Sequence, residues 1–234
     1  YNTEIDDILL TSLSTTIANW SNSNKVLIGL EGHGRGDIAE GVDTTNTVGW
    51  FTTLYPVLLN INADNSSNLI KSIKEQLRQV PDQGVGYGVL KYINKEESLQ
   101  GKQPWEILYN YLGQVDNLVS DSKYFSRVDE YAGENRAGEH TVNEKISINA
   151  IVRGGELVIK FDCSSKHFKE LTVREIAENF ITNLNFLISH CLQQDNKGGG
   201  LTPSDFGMGS KISIEELDEL LEEEGDSRDN ILSF

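Results

Sequence analysis

The sequence predicts a mixed α/β (α+β) fold, a mixed sheet with flanking helices, and three observations carry that expectation. Short apolar runs of strand length are interspersed with segments whose apolar residues recur every three or four positions. The pair Gly154-Gly155 lies between two alternating runs and reads as a β-hairpin within the sheet. The 234 residues, 38% hydrophobic and 24% charged, suffice for a buried core. At about 150 residues per domain they correspond to roughly one and a half domains.

In chain order, Ile5, Ile8, Leu9, Leu13, Ile17 and Trp20 define a first helix, where Thr3 with Asp6 resembles a capping box. Ser21 to Asn24 is a turn, and Lys25 to Leu30 has the length and apolarity of a buried strand. Val48 to Ile61 is a second extended run in which Pro56 marks an edge, a bulge or a break, and Trp50, Phe51 and Tyr55 read as core. Leu69, Ile70, Ile73, Leu77 and Val80 mark a second helix that starts at Asn65-Ser66-Ser67 and stops at Pro81. Gly84-Val85-Gly86-Tyr87-Gly88 reads as a turn into a helix. A phosphate loop would need a preceding strand and a terminal Lys-Ser/Thr, and both are missing. Ile107 to Leu112 is a strand, and Val115 to about Thr141 reads as a long loop region. Lys145 to Val152 and Glu156 to Phe161 are the hairpin strands. Thr172 with Glu175 then caps a helix bearing Ile176, Phe180, Leu184, Leu187 and Cys191 on one face. Gly198-Gly199-Gly200 closes the packed region, so residues 1–200 read as the folded body. Residues 201–234 read as an acidic trailing helix and linker, with Ser213 and Glu216 as its cap.

Thirty-six acidic against 20 basic side chains give a net charge of −16, which argues against nucleic acid or an anionic membrane as partner. Residues 211–234 hold nine acids and two bases, −7, leaving −9 for the other 210 residues. No apolar run reaches the length of a membrane span. The opening Tyr1-Asn2-Thr3-Glu4 has neither the basic end nor the apolar stretch of a signal peptide and lacks Met, as expected of an excised piece. Cys163 and Cys191 make no disulfide framework, and His140, His167 and His190 lack metal spacing, so a reducing cytoplasm and no bound metal are expected.

The cluster Glu31-Gly32-His33-Gly34-Arg35-Gly36, directly after the buried strand, is the main candidate for chemistry. Were the strand to continue, Glu31, His33 and Arg35 would share one face, with glycines leaving room for a substrate. A carboxylate there can act as a general base, its pKa raised by burial and lowered by a neighbouring arginine. The alternative is a polar turn with a Glu31–Arg35 surface pair. Asn110 and Tyr111 form a polar pair inside an apolar strand. In a regular strand they face opposite sides, and only a bulge or strand end brings both to one cavity.

Four motifs, in order, carry a family resemblance. Leu30 to Arg35 resembles the "EGHGR" motif of epimerization domains in nonribosomal peptide synthetases, and Thr47 to Pro56 their "TVGWFT…YP" motif. Gly84 to Gly88 resembles "GxGYG", and Asn110-Tyr111-Leu112-Gly113-Gln114 "NYLGQ". Gly36, Asn46 and Val115 depart from the family's usual residues. The resemblance is to the C-terminal half. It implies one lobe of a two-lobed, chloramphenicol-acetyltransferase-like domain whose N-terminal lobe carries an "HHxxxD" motif, and this chain has no His-His pair. It further implies inversion of the α-carbon of an aminoacyl or peptidyl thioester by deprotonation and reprotonation. Glu31 would be the acid/base group, His33 and Arg35 would orient it or hold its charge, and Asn110 and Tyr111 would be further catalytic positions. Trp50, Phe51 and Tyr87 would line the substrate path. The implied partners are the N-terminal lobe and a peptidyl carrier protein, whose phosphopantetheine arm brings the substrate, with a downstream condensation domain or synthetase as a further one. No cofactor is expected on this lobe itself, and alone it is expected to be inactive. Two other readings stay open: a non-catalytic docking or structural lobe, and a condensation domain that forms peptide bonds.

Overall fold

The computed structural model describes residues 1–35, 41–115, 124, 133, 143–194, 200–209 and 211–221. The expected mixed fold is present. Helix α1 (Ile5–Ser21) leads into strand β1 (Lys25–Gly32), followed by β2 (Thr53–Asn60) and α2 (Ser66–Arg78). A 3-10 turn at Pro81–Gly84, the single-turn helix α3 (Val85–Gly88) and a π-helical turn at Val89–Ile93 realise the expected turn into a helix. Then come β3 (Ile107–Gln114), β4 (Ile146–Arg153), β5 (Glu156–Cys163), the long α4 (Glu170–Gln194) and a last helix, α5, at residues 214–221. The long loop expected at 115–141 lies, apart from Val115, Tyr124 and Gly133, outside the described residues.

The strands form one sheet in the order β2-β1-β3-β4-β5. β1 and β3 are parallel, as are β3 and β4, while β4 and β5 form the antiparallel hairpin. Gly154 and Gly155, both at positive φ (63° and 73°), make its two-residue turn, the geometry that matches the twist of the flanking strands. β2 is an edge strand, which suits Pro56, a residue with no N–H to give to a further neighbour. The extended run is shorter than the sequence suggests. Residues 48–52 lie outside the strand, and Trp50 is 98% exposed rather than core.

The chain divides into two compact units. Unit 1 comprises residues 1–26, 58–81 and 175–234, and its core is helical. Leu9, Leu10, Leu13 and Ile17 of α1, Ile70 and Ile73 of α2, and Ile176, Phe180, Leu184 and Leu187 of α4 are all buried. α1 also buries Thr11, Ser12 and Thr16, whose hydroxyls are satisfied by backbone carbonyls: Thr11 donates to Asp7, Ser12 to Phe180 and Thr16 to Ser12. The α1 cap sits one residue later than the sequence suggests, on Glu4 with Asp7. Asp7 is drawn inward, accepting from the Glu4 amide at 2.8 Å and from Arg78 at 3.1 and 2.9 Å. Burial pushes its carboxyl upward, against the pull of that amide and guanidinium. α4, by contrast, begins earlier than expected, at Glu170, which accepts from Arg174 one turn on at 2.8 Å.

Packing of unit 1 continues past residue 200, into the segment expected to be an acidic trailing helix and linker. Thr202 is fully buried, Leu217 is 4% exposed, and Ser213 and Glu216 form the expected reciprocal cap. Two lysines one turn apart on α2 hold this segment: Lys71 meets Asp218 at 3.3 Å and Lys74 meets Asp205 at 2.7 Å. Burial raises the Asp205 carboxyl, but hydrogen bonds from Lys74, the Thr202 amide and Asn2 outweigh it and leave it lowered to about 2.

Unit 2 comprises residues 27–57 and 82–174. The face of its sheet bearing Ile28, Leu30, Tyr109, Ile146, Ile148 and Ala150 is buried. On the opposite face the Trp105 ring lies against the backbone of Gly29, where a Cβ would stand 2.5 Å from Trp105 Nε1.

Two stability predictions follow from these contacts. Because Asp205 has a folded-state pKa below its ordinary 3.8, its contribution is present above about pH 4 and is lost as pH falls toward 2. Asp205→Asn should therefore cost about 2 kcal/mol at pH 7 and much less near pH 2, as read by urea unfolding across pH. Gly29→Ala should cost about 1–3 kcal/mol by overpacking against the buried Trp105 ring, with the loss largely relieved in the Gly29→Ala/Trp105→Phe double variant if the ring is the obstacle.

Candidate active site

The site is built on the parallel pairing of β1 with β3. The register Ile28↔Ile107, Gly29↔Leu108, Leu30↔Tyr109 runs on to Glu31 beside Asn110, and partners across a parallel pair point to the same face. Asn110 Nδ2 donates to Glu31 Oε2 at 2.7 Å, and both side chains are half-buried. β4 extends the row: Asn149 pairs with Asn110 in register, and Lys160 of β5 pairs with Asn149. A polar row of Glu31, Asn110, Asn149 and Lys160 thus crosses four strands on the face opposite the apolar core. Glu31 is the penultimate residue of β1, at the carboxyl end of a parallel strand, where open α/β sheets bind ligands.

Strand alternation stops there. β1 ends at Gly32 and Gly34 takes a left-handed φ of 63°, so His33 and Arg35 do not continue the Glu31 face as an unbroken strand would require. His33 is exposed, and its Nδ1 accepts from the Arg35 amide at 3.0 Å. The Arg35 guanidinium donates to the carbonyls of Thr44, Thr47 (2.9 Å) and Gly49 (3.4 Å), and stacks 4.2 Å from the centre of the Phe51 ring. The expected Glu31–Arg35 surface pair is replaced by these bonds, because three loop carbonyls offer the guanidinium fork more acceptors than one carboxylate. Arg35 ties down the loop that displays Val48 and Trp50, which are 100% and 98% exposed.

Tyr111 is in register with Ala150 on the buried apolar face, opposite Asn110, and its hydroxyl oxygen is shielded from solvent. β3 does carry an irregularity, but it lies between Tyr111 and Gln114 and so comes too late to turn Tyr111 toward Glu31. The structure therefore brings Glu31 and Asn110 together and leaves Tyr111 on the other face. Tyr87 is half-buried on α3, with its ring 6.0 Å from that of Trp105.

Sequence reasoning missed Asn149 and Trp105. Asn149 had a signal: it alternates with Ser147 as the polar side of the first hairpin strand. Trp105 had none, standing alone between loop residues. The other histidines take structural places. His190 stacks on Tyr1 with their polar atoms 2.7 Å apart, and His167 lies 3.0 Å from the Ser164 hydroxyl, while His140 falls outside the described residues. Among the described residues no group of His, Cys, Asp or Glu is placed to hold a metal ion, and no helix is long and apolar enough to cross a membrane.

Comparison with known proteins places this geometry. The chain is 41% identical over 222 residues to surfactin synthase subunit 2 of Bacillus subtilis (strain 168), covering 95% of this chain and 6% of that protein. It is 40% identical over 220 residues to bacitracin synthase 1 of Bacillus licheniformis, covering 93% of the chain and 4% of that protein. The chain thus spans a small fraction of the length of these relatives. Among solved structures, the epimerization domain from the third module of tyrocidine synthetase B superposes with a TM-score of 0.73 at 34% identity, covering 82% of this chain and 43% of that one. A four-domain nonribosomal peptide synthetase bound to AMP and glycine shares the fold, with a TM-score of 0.60 at 17% identity over 81% of this chain and 15% of that one. The family model described as "Condensation domain" matches residues 1–205, and on that match the chain belongs to the condensation-domain family.

Proposed function

We propose that the chain is the C-terminal half of an epimerization domain of a nonribosomal peptide synthetase, and that Glu31 is one of the two groups that invert the α-carbon of a carrier-bound aminoacyl or peptidyl thioester. The observation that carries this reading is the 2.7 Å bond from Asn110 to Glu31, which fixes a carboxylate at the carboxyl end of a parallel strand. In the reaction the carboxylate takes the α-proton, the C–H electron pair moves into the thioester carbonyl, and the resulting enolate is reprotonated on the opposite face. A thioester makes that proton acidic enough for a carboxylate-sized base to matter, and a positioned base supplies the remainder. Two faces require two groups, so the second comes from the other half of the domain. Asn110 orients Glu31 and holds its charge by a hydrogen bond. The polar row through Asn149 gives the enolate side of the site further amide dipoles. The substrate arrives as the thioester of a phosphopantetheine arm on a carrier protein, so this lobe needs no cofactor of its own, and the place of action is the cytoplasm.

Support for epimerization over condensation comes from the identity gradient: 34% to an epimerization domain, against 14% and 15% to condensation domains with TM-scores of 0.56 and 0.54. Condensation remains the second reading because the matching family model carries that description. A docking lobe without chemistry is the third, and the exposed Trp50 loop favours it.

Joined to an N-terminal half, the domain should exchange the substrate α-proton for solvent deuterium, and Glu31→Gln should slow that exchange by about a hundredfold or more. Normal exchange in the variant would remove Glu31 from the chemistry. Peptide-bond formation without any exchange in the parent would select condensation. The 234-residue chain alone should give no D-configured product from an L-thioester by chiral chromatography, because only one face of the carbon is served. Formation of the D-epimer by the chain alone would overturn the two-half requirement.

A further inference from the structure

Among the described residues three lysines are buried, Lys71, Lys74 and Lys91, at 6%, 1% and 6% exposure. Two of them have carboxylate partners. Lys71 meets Asp218, and Lys74 meets both oxygens of Asp205 and the Tyr1 carbonyl. That is how buried amines are ordinarily held. Lys91 is as buried as Lys71, yet no carboxylate among the described residues pairs with it. Its Nζ reaches only the Tyr87 hydroxyl, at 3.5 Å, and lies 5.7 and 6.0 Å from the ring centres of Tyr87 and Tyr92. A chain of net charge −16 has no shortage of carboxylates to place there.

A second observation in the same cluster points the same way. The Tyr87 ring packs against Trp105 at 6.0 Å, and Trp105 Nε1 is a buried N–H with no acceptor among the described residues. Lys91, Tyr87 and Trp105 therefore gather donors around one aromatic ring without an anionic acceptor among the described residues. Orphan buried donors are rare and costly, so the Trp105 N–H, beside an ammonium held by a 3.5 Å bond to a tyrosine hydroxyl, calls for a missing acceptor. The backbone is built for the position. Lys91 sits in the middle of a π-helical turn, a local irregularity often found at functional sites, and Gln100 secures it by donating to the carbonyls of Lys91 and Glu96. Beside Tyr87, a Cβ at Gly86 or Gly88 would meet nothing within 4 Å, so no neighbouring group crowds the surface of that turn.

We infer that Lys91, Tyr87 and Trp105 form a binding site for a phosphate group. A tetrahedral oxyanion offers acceptors in several directions, as donors on three separate side chains require, whereas a carboxylate suits a planar fork. The site lies on the Glu31 side of the sheet, since Trp105 covers Gly29 and Gly29 shares its β1 face with Glu31. The inference does not depend on the reaction proposed for Glu31.

The test is titration of the 234-residue chain with inorganic phosphate, butyl phosphate and acetate at constant ionic strength, read by tryptophan fluorescence and by the rise in Tm. Phosphate should bind saturably. Lys91→Gln, folded by circular dichroism, should weaken it by about tenfold or more, while Lys91→Arg stays within about threefold, because the cation and its donors persist. Tighter binding of butyl phosphate would identify a chain-borne phosphate as the ligand, and equal binding a free one. Acetate binding as well as phosphate would overturn the phosphate assignment. The absence of a saturable response beyond that to chloride, or unchanged affinity in Lys91→Gln, would overturn the site. Should that variant not fold, Tyr87→Phe and Trp105→Phe decide: unchanged phosphate binding in both overturns the site, and weaker binding in either upholds it.

Discussion

The parallel register of β1 on β3 is the constraint on which the rest of unit 2 depends. It sorts alternate residues of both strands onto two faces, Ile28, Leu30 and Tyr109 to the core and Gly29, Glu31 and Asn110 to the other side. A slip of one residue would bury Glu31 among isoleucines and expose the core row, so burial and site geometry enforce the same alignment. The pairing of β3 with β4 then carries the polar row to Asn149 without a loop having to supply it. Side chains held on paired strands keep their spacing better than side chains on a loop, and the Glu31–Asn110 bond benefits directly.

Unit 1 solves a different problem. Its helices must seat four buried hydroxyl residues of α1 (Thr11, Ser12, Ser14 and Thr16) and two lysines of α2, and each is matched by a carbonyl or a carboxylate. Part of the net acidity is thereby accounted for. Asp205 and Asp218 act as internal counter-charges to buried amines, whereas the remaining acids of the C-terminal segment have no such duty in the described structure. A replacement of Asp205 leaves a buried cation behind, which is a larger disturbance than the loss of one surface charge.

Much of the fold is written locally. The β1 run, the Gly154-Gly155 hairpin, the α2 start at Asn65 and the Ser213–Glu216 cap all follow from pattern and turn chemistry, and each is where the residues indicate. The failures have a common cause in contacts remote along the chain. Arg78 moves the α1 cap from Thr3 to Glu4 by claiming Asp7. Trp50 looks like core because aromatic residues usually are, but the loop that carries it is fixed by Arg35 through carbonyls, which have no signature in sequence. Of the candidate site, Glu31 and Asn110 were legible as polar residues in apolar runs. Their contact was not, because it needs the β1–β3 register, and the placement of Tyr111 needed the position of the β3 irregularity. The isolation of Lys91 was invisible, since sequence lists side chains but not the partners they lack.

The edges of the sheet bear on how this molecule behaves at high concentration. Among the described strands β2 and β5 are outermost, and exposed edges invite further strands to add, the first step toward amyloid-like stacking. β2 interrupts its row of donors with Pro56, and β5 carries Glu156, Lys160 and Asp162, the last two joined at 2.8 Å. A strand arriving at either side would have to leave an acceptor unmatched or strip water from an ion pair. Both outer strands are thus protected by their own chemistry, and lateral growth of the sheet is discouraged at each.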